Sequence, residues 1–479
     1  MKFNALTKEH ISALEKLLPN ESLVYDLESK EKYSHDFTED LKFSPEAVVF
    51  ARTAEEVSQV LRFATQEKIP VTPRGAGTGL SGAALPIYGG LVLSLEKMDK
   101  ILEIDEKNLM AVCEPGVITE VFQNAVQEKG LFYPPDPASR GSCMLGGNLA
   151  HCAGGPHAVK YGVTKDYVYG VEAVLPTGEV IHHGGKLLKN STGYNLTQLL
   201  VGSEGTLAVV TKLYLKLIPY PTHKALVLAP FDSLESPATA VSSLFQEGLT
   251  PSACEFMEKS AWVAGCKQTS SSVGFASSKS SGETNMFPSA EAFLLIEVDG
   301  FSESEIERQL ETLSRVLEKY GALDIALAES PEKQSKLWRI RRSIGEAVKT
   351  RSVYKEEDTV VPRYALPVLL KEVKAICLKY GVTSVCYGHA GDGNLHVNLL
   401  KENLSNEVWE NKLPRCIIEI FKSVSKLGGT VSGEHGIGYV QRAYMPLVYS
   451  PAELSLMKRL KQAFDPAGIL NPGKILESS

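Results

Sequence analysis

Glycine spacing constrains this chain more than any other feature. The stretch TPRGAGTGLSG, Thr72 to Gly82, contains Gly77-Thr-Gly79-Leu-Ser-Gly82, which fits the dinucleotide pattern G-x-G-x-x-G. Upstream, KIPVTP has the β-branched character of a strand, as a Rossmann site requires. Downstream the requirement fails. A helix should begin at Gly82 and receive a pyrophosphate, but AALPIYGGLVLSL brings Pro86 and Gly89-Gly90 before the next strand-like run. Glu103 lies at a ribose-binding distance, yet acidic residues at that spacing are common in a chain that is 22% charged. The flanks favour a glycine loop whose backbone N–H groups face phosphate oxygens without a helix, with Arg74 adding charge, over a Rossmann turn or a bland one.

A second cluster, Tyr133 to Val180, packs Gly141, Gly146, Gly147, Gly154, Gly155 and Gly162 into a short span, and LLVGSEGTLAVVTKL (Leu199 to Leu213) forms a third. Glycine costs backbone entropy at each position, so such density implies that a guest needs the backbone close, and a large flat cofactor fits. Tight turns in a β domain are the competing explanation, weakened by the repetition.

At 479 residues the chain exceeds one ordinary core. An N-terminal helical segment is expected over 1–45, and strand–helix–strand signals begin at 46. Short β-rich runs then alternate with glycine turns and one helix near 118–129, which reads as α+β. Pro219 and Pro221 mark a boundary. Residues 221–425 repeat a strand–helix–strand rhythm, with helices near 235–247 and 303–320 and a serine-rich insert, QTSSSVGFASSKSSGETN. A C-terminal segment, 426–479, follows a helix near 407–427 and contains another near 451–464. No run of ~18 apolar residues and no signal-peptide pattern is present, so a cytoplasmic location is expected, at most peripheral to a membrane through a partner. Eight cysteines without a C-x-x-C argue against disulfides and iron–sulfur clusters, and a net charge of −7 without a basic stripe argues against nucleic acid.

VCYGHAGDGNLHVNLL carries a different chemistry. Asp392-Gly393 is a preferred two-residue hairpin turn, a register that sets His389 opposite His396, close enough to share one metal or simply to stack on a sheet face. Period two adds Asn398 to the face of His396. GGTVSGEHGIG offers Glu434 and His435, and a carboxylate with two imidazoles suits Zn, Mn or Fe(II). A carboxylate substrate needs a cation, for which LWRIRRSIGEAV supplies Arg339, Arg341 and Arg342, and VYKEEDTVVPR supplies Lys355.

Together PVTPRGAGTGLSG, YPPDPAS, GGNLAHCAGG, KYGVTKD and VGSEGTLAVVT resemble the PCMH-type FAD-binding domain of the vanillyl-alcohol-oxidase flavoprotein superfamily. YGHAGDGNLHVN, SGEHGIG and FDPAGILNPGKI are similar to its 2-hydroxy-acid dehydrogenase branch, which includes D-lactate dehydrogenases and the glycolate oxidase D subunit. The resemblance covers nearly everything beyond the first ~40 residues. It implies an α+β chain: a two-subdomain FAD-binding domain over 46–220, a substrate or cap domain with an antiparallel sheet, and the C-terminal helical segment completing the active site. It implies pyrophosphate contacts from Arg74, Gly75, Gly77, Thr78, Gly79 and Ser81. Pro137, Ser139, Gly147, Asn148 and Gly154 would line the flavin and ribityl, with Glu204 and Gly205 toward the adenosine. It carries over His389, His396 and Glu434 as ligands of a divalent metal, His435 as the catalytic residue, and Arg341, Lys355 and Asn398 as substrate contacts. One departure is Cys152, where the family usually has Asn. The implied reaction is FAD-dependent oxidation of a D-2-hydroxy acid of the D-lactate or glycolate type. Its electron acceptor would be a quinone, a partner flavoprotein or iron–sulfur subunit, or dioxygen, and a homodimer is compatible. The competing readings are a noncatalytic flavin-binding subunit of a larger oxidase and a metallohydrolase.

Overall fold

A computed structural model describes residues 3–269 and 287–477, and the serine-rich insert falls almost entirely outside them. The chain forms two compact units: Met1–Gly154, Gly162–Tyr220 and Glu434–Ser479 make the first, Gly155–Tyr161 and Pro221–Gly433 the second.

The first unit is built on two main sheets. In one, Ala47–Phe50, Leu91–Ser94 and Val71–Arg74 run parallel, and Leu23–Val24 adds an antiparallel edge. The helix Ala54–Glu67 starts where the Thr53 hydroxyl accepts from the Glu56 N–H, and it buries Val57, Val60, Leu61 and Ala64 against Val49, Val71 and Leu93. Each fully buried aliphatic chain of this kind contributes about 1.5–3 kcal/mol. The other sheet is antiparallel, in the order Ile101–Asp105, Met110–Cys113, Val209–Lys216, Val168–Val174, Val180–Gly184. The C-terminal segment belongs to this unit. Val71 donates to Ile469 and accepts from Asn471, at 2.8 and 2.7 Å, so residues four hundred positions apart share one ladder.

The second unit is a seven-stranded antiparallel sheet in the order Ala326–Leu327, His223–Phe231, Ala292–Gly300, Ala253–Glu258, Thr383–Gly388, Asn394–Leu400, Tyr354–Val360. One face packs on helices Lys259–Gln268 and Pro331–Lys349 through Trp262, Leu337, Trp338, Ile340 and Ile344. The short segment Gly155–Tyr161 joins this unit by polar ties: His157 Nε2 meets Glu297 at 3.2 Å, and Lys160 and the Tyr161 hydroxyl both bond Asp299.

Seven of the eight cysteines are buried and all are free. No helix of the described residues is long and apolar enough to cross a membrane.

Candidate functional site

In the first unit, the chain leaves the strand Val71–Arg74 and runs through Gly82 without entering a helix, as the flanking sequence requires. From Gly75 to Ser81 no backbone N–H donates to another protein group, although these residues are only partly exposed or buried. The Ser81 hydroxyl is buried and likewise unpartnered. A row of unused donors in a half-buried loop is the surface that phosphate oxygens satisfy. Gly77 has φ +73°, and a Cβ there would stand 2.1 Å from the Arg74 guanidinium. Gly147 faces open space within 4 Å. These are the properties of a cradle for a pyrophosphate and its flavin, so the residues fit FAD.

Arg74 itself is buried and donates to the backbone carbonyls of Lys32, His35 and Ala84, while burial pulls its pKa down. Its guanidinium thereby fixes the loop from beneath. Asn148, at the buried side of the helix Leu145–His151, donates its amide to Thr119 Oγ1 at 2.6 Å. Pro137 and Ser139 lie in a turn whose carbonyls accept from Arg140, Ser142 and Cys143. Cys152 caps that helix at φ +54°, a left-handed position that Asn tolerates better than Cys. The family's usual Asn therefore has a backbone reason at this position.

The loop carrying Glu434 and His435 is stitched to the same cradle. Glu204, itself at φ +51° and next to Gly205 at φ +64°, turns its carboxylate to the N–H groups of Ile437 and Gly438, each at 2.7 Å. Burial raises the Glu204 pKa, against the opposing pull of His151 and those two amides. His151 Nδ1 lies 3.0 Å from the His435 carbonyl oxygen, and a Cβ on Gly79 would touch the His151 ring at 3.6 Å. The Ser81 carbonyl accepts from Tyr439 and Val440, and a Cβ on Gly154 would lie 3.0 Å from the Glu434 carboxylate.

In the second unit, one sheet face is polar amid apolar packing. The sequence register needs correction here: His396 stands opposite Tyr387, not His389. The turn is longer than two residues because Gly391 leaves the ladder to donate to the Cys254 carbonyl, and Arg363 bonds the Gly391 oxygen. A shift of two residues preserves the face. His389, in the loop, still meets His396 edge-on with ring centroids 5.4 Å apart, and both are buried. Asn398 shares that face, with no exposed area and an amide that makes no hydrogen bond of ordinary geometry beside the Tyr387 hydroxyl. Lys355 pairs with Leu399, one residue out of step, so alternation turns it to the opposite face.

Arg341 sits in the buried stripe of its helix, whereas Arg339 and Arg342 are exposed. Its guanidinium lies 5.0 Å over the Tyr387 ring and 2.5 Å from Glu255. The other Glu255 oxygen is 2.8 Å from His389 Nδ1. Burial alone would raise the Glu255 pKa, but the charges of Arg341 and His389 overcome it and hold the carboxyl below its ordinary value. Glu356 approaches His396 Nδ1 at 3.4 Å, and Asp358 is occupied by Asn394, Ser432 and Gly433. Sequence motifs did not reveal these three acids. The available signal for Glu255 was a carboxylate at the centre of an otherwise apolar run, ACEFM, which is rare unless paired.

The glycine loop of the first unit fits a flavin, and the class the chain falls into is that of flavin-dependent oxidoreductases. Residues 45–184 match the FAD binding domain model and residues 220–475 the model for the C-terminal domain of FAD linked oxidases. The chain belongs to the FAD-linked oxidase family. It is 39% identical over 444 residues to glycolate oxidase subunit GlcD of Bacillus subtilis, covering 92% of this chain and 91% of that one. It is 36% identical to the D-lactate dehydrogenase of Anaerostipes hadrus (99% and 98% covered) and 35% identical to the D-2-hydroxyglutarate dehydrogenase of Stutzerimonas stutzeri (97% and 98%). Among solved structures, p-cresol methylhydroxylase shares the fold with a TM-score of 0.80 at 20% identity, over 98% of both chains.

Proposed function

We propose that the enzyme oxidises a D-2-hydroxy monocarboxylic acid, of the D-lactate or glycolate type, to the 2-oxo acid. The observation that carries this reading is the cation Arg341 buried on the same polar face as the His389–His396 pair and Asn398. A guanidinium binds a carboxylate through paired N–H donors, and the Asn398 amide offers a donor and an acceptor to the neighbouring substrate oxygens. His389 and His396 would hold a divalent metal with Glu434, and such an ion supplies Lewis acidity that favours ionisation of the substrate hydroxyl. Bound FAD supplies the two-electron acceptor for the C2 hydride. His435 takes the hydroxyl proton as the carbonyl forms. Glu204 and His151 support that role by fixing the backbone around His435 through three hydrogen bonds. The relatives named for glycolate, D-lactate and D-2-hydroxyglutarate agree in reaction type and differ in substrate.

The test is the visible spectrum of FAD-loaded protein before and after anaerobic D-lactate or glycolate. Bleaching of the flavin band is expected with one of them, and its loss after chelation with return on adding Zn²⁺ or Mn²⁺. A band that no hydroxy acid bleaches would sink the proposal.

A further inference from the structure

Glu255 lies midway along the strand Ala253–Glu258 with no exposed area. Each of its two oxygens serves a different partner, His389 Nδ1 at 2.8 Å and Arg341 Nη2 at 2.5 Å. Those partners come from different elements. His389 belongs to a loop and Arg341 to the helix packed on the sheet. The loop's backbone is also anchored to this strand through Gly391 N–H and the Cys254 carbonyl.

We infer that Glu255 is a positioning residue that sets the tautomer of His389 and shares one carboxylate between the metal-binding imidazole and the substrate anchor. The inference rests on the metal-assisted reading above. A neutral imidazole has one N–H. Donated from Nδ1 to Glu255, it leaves the Nε2 lone pair as the only ligand atom, with its direction fixed. The second oxygen forms an ion pair with Nη2 of Arg341, a charge that restrains a guanidinium on a flexible stem. Because both partners draw on one carboxylate, filling Arg341 with a substrate carboxylate strengthens the hold of Glu255 on His389, so metal and substrate bind cooperatively.

The experiment uses FAD-loaded full-length protein and reads Zn²⁺ affinity by competition with a chromogenic chelator, with and without the product pyruvate. In Glu255→Gln, Zn²⁺ should bind about 10–100-fold more weakly, the usual cost of losing such a partner, while FAD occupancy stays near the parent's. The pyruvate effect on Zn²⁺ affinity should vanish. Glu255→Asp should recover part of the affinity, which a merely structural role does not predict. Unchanged Zn²⁺ affinity in Glu255→Gln overturns the inference. Absence of Zn²⁺ binding in the parent instead overturns the metal-assisted reading beneath it. Should the Gln variant fail to fold, long-range ¹H–¹⁵N spectra of histidine-labelled parent protein decide the point. A proton on Nδ1 of His389 supports the inference, and a proton on Nε2 refutes it.

Discussion

The candidate site residues of the two units are of different kinds. The glycine loop of the first unit presents backbone: from Gly75 to Ser81 the donors are unused, and side chains serve chiefly to hold the curve from behind, as Arg74 does. The polar face of the second unit presents side chains: two imidazoles, a guanidinium, an amide and three carboxylates from three strands, one helix and a loop. A backbone site fails when one Cβ intrudes. A side-chain site fails in graded steps, because each member has partners that share its load.

The sharpest contrast comes from Gly77→Val. Its positive φ and the 2.1 Å approach to Arg74 leave no room for a β-branched residue, so FAD should be lost outright, read as flavin per protein after purification. Full flavin occupancy in that variant would break the contrast.

His435→Asn should keep FAD and metal yet slow anaerobic flavin reduction by ~10²-fold or more, the scale of losing a general base. Reduction at the parent rate would reassign the base. Arg341→Lys should raise KM for the hydroxy acid roughly tenfold, since one ammonium cannot reproduce the fork. An unchanged KM would move the anchor elsewhere.

A smaller effect concerns stability of the second unit. Burial would raise the Glu297 pKa, but hydrogen bonds from His157 and Trp338 and nearby positive charge lower it from 4.5 to about 2. A depressed carboxyl stabilises the fold above its unfolded pKa, and the gain, about 3 kcal/mol at most, is lost as pH falls from about 4.5 through about 2. Glu297→Gln should therefore flatten the dependence of melting temperature on pH in that window, measured by calorimetry. The least effect is expected from Lys355→Ala, within about twofold in KM, because its strand turns it to the other face. A tenfold rise would show that the long side chain wraps round the sheet edge.

The same contrast explains what the sequence revealed. Glycine loops announce themselves because glycine adopts positive φ at the least cost, so the glycine loop and the absence of a following helix were readable from Gly77 through Gly90. Long amphipathic helices such as Glu303–Lys319 and Pro451–Phe464 were equally plain. The histidine pair was visible, but its register was not, since the bond from Gly391 to Cys254 joins residues far apart in sequence. Arg341 was singled out from Arg339 and Arg342 by the family resemblance alone, although its phase with Leu337, Ile340 and Ile344 is what buries it. Glu255 has no motif at all, because its meaning depends on two partners that folding brings to it.

The ladder between Val71 and residues 469–471 also bears on how the molecule is made. A ribosome releases the Val71 strand long before its neighbour at Leu470 exists, so that edge of the strand stays unpaired while the intervening residues are made. The second unit, whose sheet lies within 223–400, can close before that. Assembly of the first unit thus waits until the second has been synthesised, and the loop bearing His435 reaches Glu204 and His151 only after that.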